Sequence, residues 1–182
     1  MTEPTIRAGR SGDSEAVAAI CRATARAGDP QPRDVPDPEL VADVYARPYL
    51  ALEPRTARLL VRDGRVIGYV VGAVDSGSFA ARWRSEWSPA HLPRPTGADP
   101  ELVRLLADPS RGFPAEVAGH PSHLHVNLLP GARGGGWGQR LLESFLDGCM
   151  RAGSAGVHLV VAGDNHAARR FYARVGFCEA RE

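Results

Sequence analysis

Leu128-Leu129-Pro130-Gly131-Ala132-Arg133-Gly134-Gly135-Gly136-Trp137-Gly138-Gln139-Arg140-Leu141-Leu142 decides how the rest of this chain is read. The stretch passes from an apolar strand through a glycine cluster into an amphipathic helix. Four of the five residues from Gly134 to Gly138 have no side chain, so another molecule can approach the backbone closely. The first N–H groups of the following helix lack intrahelical acceptors and sit at the positive end of its dipole. Such a turn holds an anion, most often a phosphate.

Two common phosphate loops are excluded. A P-loop closes on Gly-Lys-Ser/Thr, whereas Gly138 is followed by Gln139 and Arg140, and all 22 Lys+Arg residues are arginine. The dinucleotide fingerprint G-x-G-x-x-G is absent, because no three glycines of the cluster have that spacing.

Further on, Gly156-Val157-His158-Leu159-Val160-Val161-Ala162 reads as a strand buried on both faces, being almost continuously apolar and rich in β-branched residues. Asp164-Asn165-His166-Ala167-Ala168-Arg169-Arg170-Phe171-Tyr172-Ala173-Arg174-Val175-Gly176-Phe177 follows. Asp164 or Asn165 caps a helix there, Ala168, Phe171, Tyr172 and Val175 share one face, and Gly176 stops it.

Arg133-Gly134-Gly135-Gly136-Trp137-Gly138 fits [Arg/Gln]-x-x-G-x-[Gly/Ala] and resembles the pyrophosphate loop of the GNAT acetyltransferase superfamily. The later segment matches that superfamily's N-x-x-A-x-x-F-Y-x-x-x-G-F element at every named position, and the order of the two is right. The resemblance implies an α/β (α+β) GNAT fold: a mixed, mostly antiparallel sheet, helices on both faces, and a splay between the fourth and fifth strands. A narrower likeness lies in Gly68-Tyr69-Val70-Val71-Gly72-Ala73-Val74-Asp75 with Phe79 and Trp87. It is similar to the acetyltransferase-like domain at the C-terminus of animal O-GlcNAc hydrolases, and would make this chain a free-standing bacterial relative.

Length and composition agree with one domain over residues 1–182, with an insertion at about 76–120. A formal charge of +1 with dispersed arginines gives no reason to expect nucleic acid or a membrane as partner. Cys21, Cys149 and Cys178 have no C-x-x-C spacing and read as reduced, mostly buried thiols of a cytoplasmic protein, with no metal expected. No stretch is long and apolar enough to span a membrane.

Periodicity fills in the scaffold. Strands are expected at Thr5–Ala8, Ala57–Arg62, Val66–Val74 and Ser122–Leu129, with a hairpin turn at Asp63-Gly64. Helices are expected at Ser11–Ala27, Glu39–Tyr45, Glu101–Ala107 and after the glycine loop, where Trp137, Leu141, Phe145 and Cys149 form an apolar face ended by Gly153. Gly28–Pro38 is a loop, and Pro89–His120 is long enough for a lid or a partner surface. Gly68 and Gly72 point to a bulge or a close ligand. Phe79, Trp83 and Trp87 form a stripe that either packs on the core or lines an acceptor pocket. Only five residues follow Phe177, so a last strand would be short. A partner chain in a homodimer could complete that sheet edge, or the acceptor pocket is unusually open.

What the resemblance implies for chemistry is specific. Acetyl-CoA would lie in the splay, its pyrophosphate on the N–H groups of Gly134, Gly135, Gly136, Trp137 and Gly138, with Arg133 at the entrance. Its pantetheine arm would pair with Leu128 and Leu129. The Leu128 N–H would stabilise the oxyanion, and Asn165 would cap its helix and touch the pantetheine arm. Tyr172 would be the acid for the CoA thiolate. The acetyl acceptor would be a small amine or a protein amino group, attacking directly. For the general base, His123 and His125 alternate with Asn127 along one strand face. Water, Asp75 or Glu53 remain alternatives, and His158 reads as a packed residue. Cys149 reads as buried and inert. The alternative function is a catalytically weak or inactive module that binds acetyl-CoA or serves interaction.

Overall fold

A computed structural model of the chain describes residues 2–25, 37–114 and 119–180. Residues 26 and 27 of the expected first helix, residues 28–36 of the loop after it and residues 115–118 of the candidate lid lie outside them. In chain order the elements are β1 (Thr5–Ala8), α1 (Ser14–Thr24), α2 (Pro38–Tyr45), α3 (Arg47–Leu52), β2 (Arg58–Arg62), β3 (Arg65–Ala73), α4 (Ser76–Arg82), α5 (Ser88–His91), α6 (Pro100–Ala107), β4 (Ser122–Leu128), α7 (Trp137–Arg151), β5 (Val157–His158) and α8 (His166–Arg174).

The sheet runs β1-β2-β3-β4-β5. Its first three pairings are antiparallel and β4–β5 is parallel, so the sheet is mixed and mostly antiparallel, as expected. Arg62 pairs with Arg65 across Asp63 (φ 51°) and Gly64 (φ 75°), the left-handed pair that a two-residue hairpin needs. The register shifts at Leu60/Val61, which leaves Ile67 as the extra residue of a bulge beside Gly68.

Strand alternation sends side chains to two cores. On one face Leu59, Tyr69, Val71 and Ala73 pack beneath Val17, Leu40, Tyr49, Phe79 and Trp83. On the other, Leu60, Val70 and Leu124 meet Leu141, Leu142, Phe145 and Cys149 of α7. Gly72 is where the second core comes closest: a Cβ there would lie 2.1 Å from the His123 carbonyl oxygen and 2.6 Å from the Phe145 ring. The close approach foreseen at this glycine is therefore to the chain itself and not to a ligand.

The segment from Ser76 to Ala107 packs on the first core. Phe79 and Trp83 are buried, Trp83 Nε1 donates to the Leu106 carbonyl (2.7 Å), and Trp87 Nε1 donates to that of Asp43 (2.9 Å). The aromatic stripe thus packs inward, through a π-helical segment at Trp83–Trp87 that joins α4 to α5.

An ion-pair group fastens this segment to α2. Arg94 grips Asp37 through two donors (2.8 and 2.9 Å) and reaches Asp43 (3.0 Å), while both carboxylates are buried. Removing one partner of such a group strands a charge away from water. Among the described residues, Asp43 would retain Arg47 at 2.7 Å, and Asp37 would retain the Leu40 N–H at 3.2 Å. Arg94→Ala should therefore cost about 3 kcal/mol, the low end for a broken buried pair. In a thermal melt this is a fall of roughly 6–12 °C for a domain of this size; an unchanged melt would contradict it.

The fifth strand departs from expectation. Only Val157 and His158 pair with β4, and the chain from Leu159 onward leaves the sheet. Val160 is 67 % exposed, so this segment is not buried on both faces. Its apolar character predicts burial on both faces, but its second wall is an open gap. Among the described residues no strand follows α8.

Candidate active site

The splay opens where β5 stops pairing. Ser122 N–H donates to the Gly156 carbonyl (3.1 Å), toward β5, and Leu129 N–H donates to that of Ile67 (3.0 Å), toward β3. The β3–β4 register is unbroken from Ala73↔His123 to Gly68↔Leu128. Alternation along an antiparallel strand then turns the peptide groups of Val126 and Leu128 away from β3. Both lie beyond the last β4–β5 pairing, at His123↔His158, so they face the gap. Leu128 is therefore open to the gap through its N–H. Leu129 is not: its N–H is taken by Ile67 and its carbonyl by Ala132 N–H (2.9 Å). The expected backbone pairing of Leu129 with a pantetheine arm is corrected on that ground.

The glycine loop follows immediately. Gly134 (φ 88°) and Gly136 (φ 74°) occupy the left-handed region that side-chain-bearing residues avoid. Gly136 caps α7, and the first helical donor with an acceptor is Arg140, to the Gly136 carbonyl (3.1 Å). Among the described residues, none of the amide N–H groups from Gly134 to Gln139 has an acceptor. The loop side of the turn is exposed, whereas Trp137 and Gly138 are half-buried. Such a row of N–H groups at a helix start is an anion nest. Arg133 folds its Nε back onto the Leu128 carbonyl (3.2 Å), and the Arg140 guanidinium lies 4.6 Å over the Trp137 ring. Two positive charges thus flank the nest.

The helix that closes the gap is α8. Asn165 caps it, Oδ1 accepting from Ala168 N–H (3.1 Å). Its end is a Schellman turn: Phe177 N–H donates to the Tyr172 carbonyl, Gly176 N–H to that of Ala173, and Gly176 has φ 99°. Phe171 packs on Gly138, 3.3 Å from where a Cβ would sit, which ties α8 to the start of α7. The Tyr172 ring lies between Phe171 (5.2 Å) and Phe177 (5.7 Å), and burial pushes its phenol up to about 12. Its hydroxyl has no partner among the described residues and keeps its proton at neutral pH.

The histidines form a cluster on the opposite face of β4. His123 is buried, His125 half-buried, and Asn127 shares their face, donating from Nδ2 to the Tyr69 hydroxyl (2.8 Å). Tyr49, from α3, places its hydroxyl 3.0 Å from both His123 Nε2 and His125 Nε2. Ser76 Oγ lies 2.7 Å from His123 Nδ1. His158 is packed as expected, with Nδ1 2.6 Å from the His120 carbonyl. Burial lowers His125 to about 4, and lowers His123 well below its usual range with added repulsion from His125 and His158. Burial holds the Tyr49 phenol protonated.

Asp75 and Glu53 stand elsewhere. Asp75 caps α4, accepting from Ser78 N–H (2.7 Å), and that bond lowers its carboxyl. Glu53 ends α3, where burial raises its carboxyl and Arg82 and Arg55 oppose the rise. Cys149 is buried in the α7 core, and burial raises its thiol, which leaves it inert.

The lowered imidazoles have a consequence for stability. An unfolded chain takes up a proton on His125 near pH 6.5, whereas the folded chain resists until about pH 4. The unfolded state therefore binds more protons between these values, so the histidine contribution is complete above pH 6.5 and is lost as pH falls toward 4. His125 accounts for at most about 3 kcal/mol, because its ring is partly open to solvent. Melting temperature should fall between pH 6.5 and 4.5, and more gently in His125→Gln; a flat profile in the parent protein would count against it.

Comparison with known proteins bears on this geometry. The profile of the Acetyltransferase (GNAT) family matches residues 27–177. The chain belongs to the GNAT acetyltransferase family. It is 38% identical to the protein in a crystal structure of SsHAT, with a TM-score of 0.88, covering 100% of this chain and 94% of that one. An agmatine N-acetyltransferase in an apo form shares 21% identity, a TM-score of 0.60 and coverage of 96% and 82%. A GNAT acetyltransferase from Brucella melitensis, in complex with acetyl-CoA, shares 20% identity, a TM-score of 0.53 and coverage of 98% and 85%. The last two likenesses are of fold. In this GNAT chain, no helix of the described residues is long and apolar enough to cross a membrane, and no group of three metal-ligating side chains is present among them.

Proposed function

We propose that this GNAT chain is an N-acetyltransferase that moves an acetyl group from acetyl-CoA to an amine in a ternary complex, with no acyl-enzyme. The observation that carries the reading is the row of acceptor-free N–H groups from Gly134 to Gln139, set beside the open edge of β4 at Leu128. Acetyl-CoA supplies the activated acyl thioester. Gly134, Gly135, Gly136, Trp137 and Gly138 would hold its diphosphate, with Arg133 and Arg140 adding charge. The exposed Val160 and its neighbours give the pantetheine arm an apolar wall. The Leu128 N–H stabilises charge on the thioester oxygen, a donor of the kind worth roughly 3–4 kcal/mol. Tyr172, protonated and unpartnered, is the proton donor for the departing thiolate. His125, with His123 behind it, is the base.

The acceptor is an amine of a small molecule or a protein. The narrower likeness to the acetyltransferase-like domain of animal O-GlcNAc hydrolases rests on Gly68–Asp75, Phe79 and Trp87, and on the insertion those aromatics anchor. The reading is tested by mixing the protein with acetyl-CoA and a panel of primary amines and following free thiol. Amine-dependent CoA release supports it. Binding of acetyl-CoA without release on any amine would replace it with the binding-module alternative.

A further inference from the structure

The side chains around His123 define a directed chain of hydrogen bonds. Ser76 Oγ lies 2.7 Å from the Pro121 carbonyl oxygen, and two oxygens at that separation need a proton between them. A carbonyl only accepts, so Ser76 donates to Pro121. The Ser76 oxygen, 2.7 Å from His123 Nδ1, must then accept from an Nδ1–H. His123 is neutral, because burial disfavours its cation, so its Nε2 is bare. Tyr49 therefore donates its O–H to His123 Nε2 at 3.0 Å, and its oxygen accepts from His125 Nε2–H at 3.0 Å. Neutral His125 is left with a bare Nδ1, which has no partner among the described residues.

Packing holds the chain rigid. Tyr49 is stacked on Phe79 (4.7 Å, 13°) and is met edge-on by both imidazoles. Tyr45 of α2 touches His125 edge-on at 5.3 Å. Among the described residues, the titratable groups in ring contact with the pair are thus Tyr45, Tyr49 and His158, each from a different element, and none of these is a carboxylate.

We propose that Ser76, His123 and Tyr49 are positioning residues that lock His125 in the tautomer with Nδ1 unprotonated, so that Nδ1 takes the proton released at the acceptor nitrogen. The inference rests on the acetyltransferase reading above and deepens it. As the C–N bond forms and the C–S bond breaks, the N–H proton passes to His125 Nδ1 and Tyr172 gives its proton to sulfur. Solvent then resets both groups. A low-pKa base suits this step, because a nitrogen that has added to a carbonyl is far more acidic than a free ammonium. The chain of bonds explains why a tyrosine and a serine sit behind two histidines in an otherwise apolar core.

Nuclear magnetic resonance of protein carrying ¹⁵N-histidine reads the tautomers directly. At pH 7 we expect His123 with its proton on Nδ1 and His125 with its proton on Nε2. Tyr49→Phe removes only the hydroxyl, and it should mix the His125 tautomers. With an amine that turns over, Tyr49→Phe should lower kcat tenfold to a hundredfold, part of the ~10²–10⁴ a general base supplies, and leave the acetyl-CoA dissociation constant unchanged. Ser76→Ala should disturb His123 first. A parent protein with the proton on His125 Nδ1 would overturn the proposal, as would Tyr49→Phe with unaltered tautomers or unaltered kcat. Absence of turnover on every amine in the parent protein would instead remove the reading beneath it.

Discussion

Tyr172→Phe is expected to lower kcat for acetyl transfer by ~10²–10⁴, the range that a positioned general acid supplies. The substitution removes one oxygen and retains the ring, which packs between Phe171 and Phe177. The hydroxyl has no partner among the described residues, so its loss strands no buried group and stability should change little. Affinity for acetyl-CoA should also persist, since the loop that would bind the diphosphate is untouched. Because burial pushes Tyr172 up to about 12, the parent enzyme should show no alkaline loss of kcat from this group below pH 10. A Tyr172→Phe variant with parental kcat would remove the acid role and leave Tyr172 as a packing residue.

Gly136→Val is expected to weaken acetyl-CoA binding by ~10²-fold or more. A β-branched residue is a steric outlier at the φ of 74° found here, so the backbone must leave the nest conformation. Hydrogen bonds to charged groups contribute about 1.5–3 kcal/mol each, and losing two corresponds to ~10²–10⁴ in the dissociation constant. The fold should survive, because the loop is exposed and a Cβ on Gly136 meets nothing within 4 Å. Far-ultraviolet circular dichroism beside a titration separates the two effects. Parental affinity in a folded Gly136→Val protein would mean that the anion is held elsewhere.

Much of the scaffold was readable from local pattern. The hairpin at Asp63-Gly64, the amphipathic α7 and the capped α8 each depend on contiguous residues whose spacing carries the physics. The glycine loop was legible for the same reason, since positive φ and missing side chains leave a compositional trace. The histidine face of β4 could be read from alternation alone. Tyr49 and Ser76 could not: they stand 74 and 47 residues from His123 in sequence, and sheet pairing and helix packing bring them to it. Tyr49 also lies on a six-residue helix with proline in its first turn, a segment too short for its periodicity to show. The fifth strand is shorter than its sequence predicts, because an apolar run looks the same whether its second wall is protein or a cleft. The side of β4 on which the Leu129 peptide lies depends on strand parity, fixed by the Leu129–Ile67 bond, and is visible only in the register.

The most direct measurement compares two acyl donors by titration calorimetry: acetyl-CoA, and acetyl-pantetheine, which lacks the diphosphate and adenosine. Backbone amides at the start of α7 that grip the diphosphate predict measurable acetyl-CoA binding and affinity for the shorter compound at least ~10²-fold weaker. Equal affinities, or no heat from acetyl-CoA at all, would contradict the account.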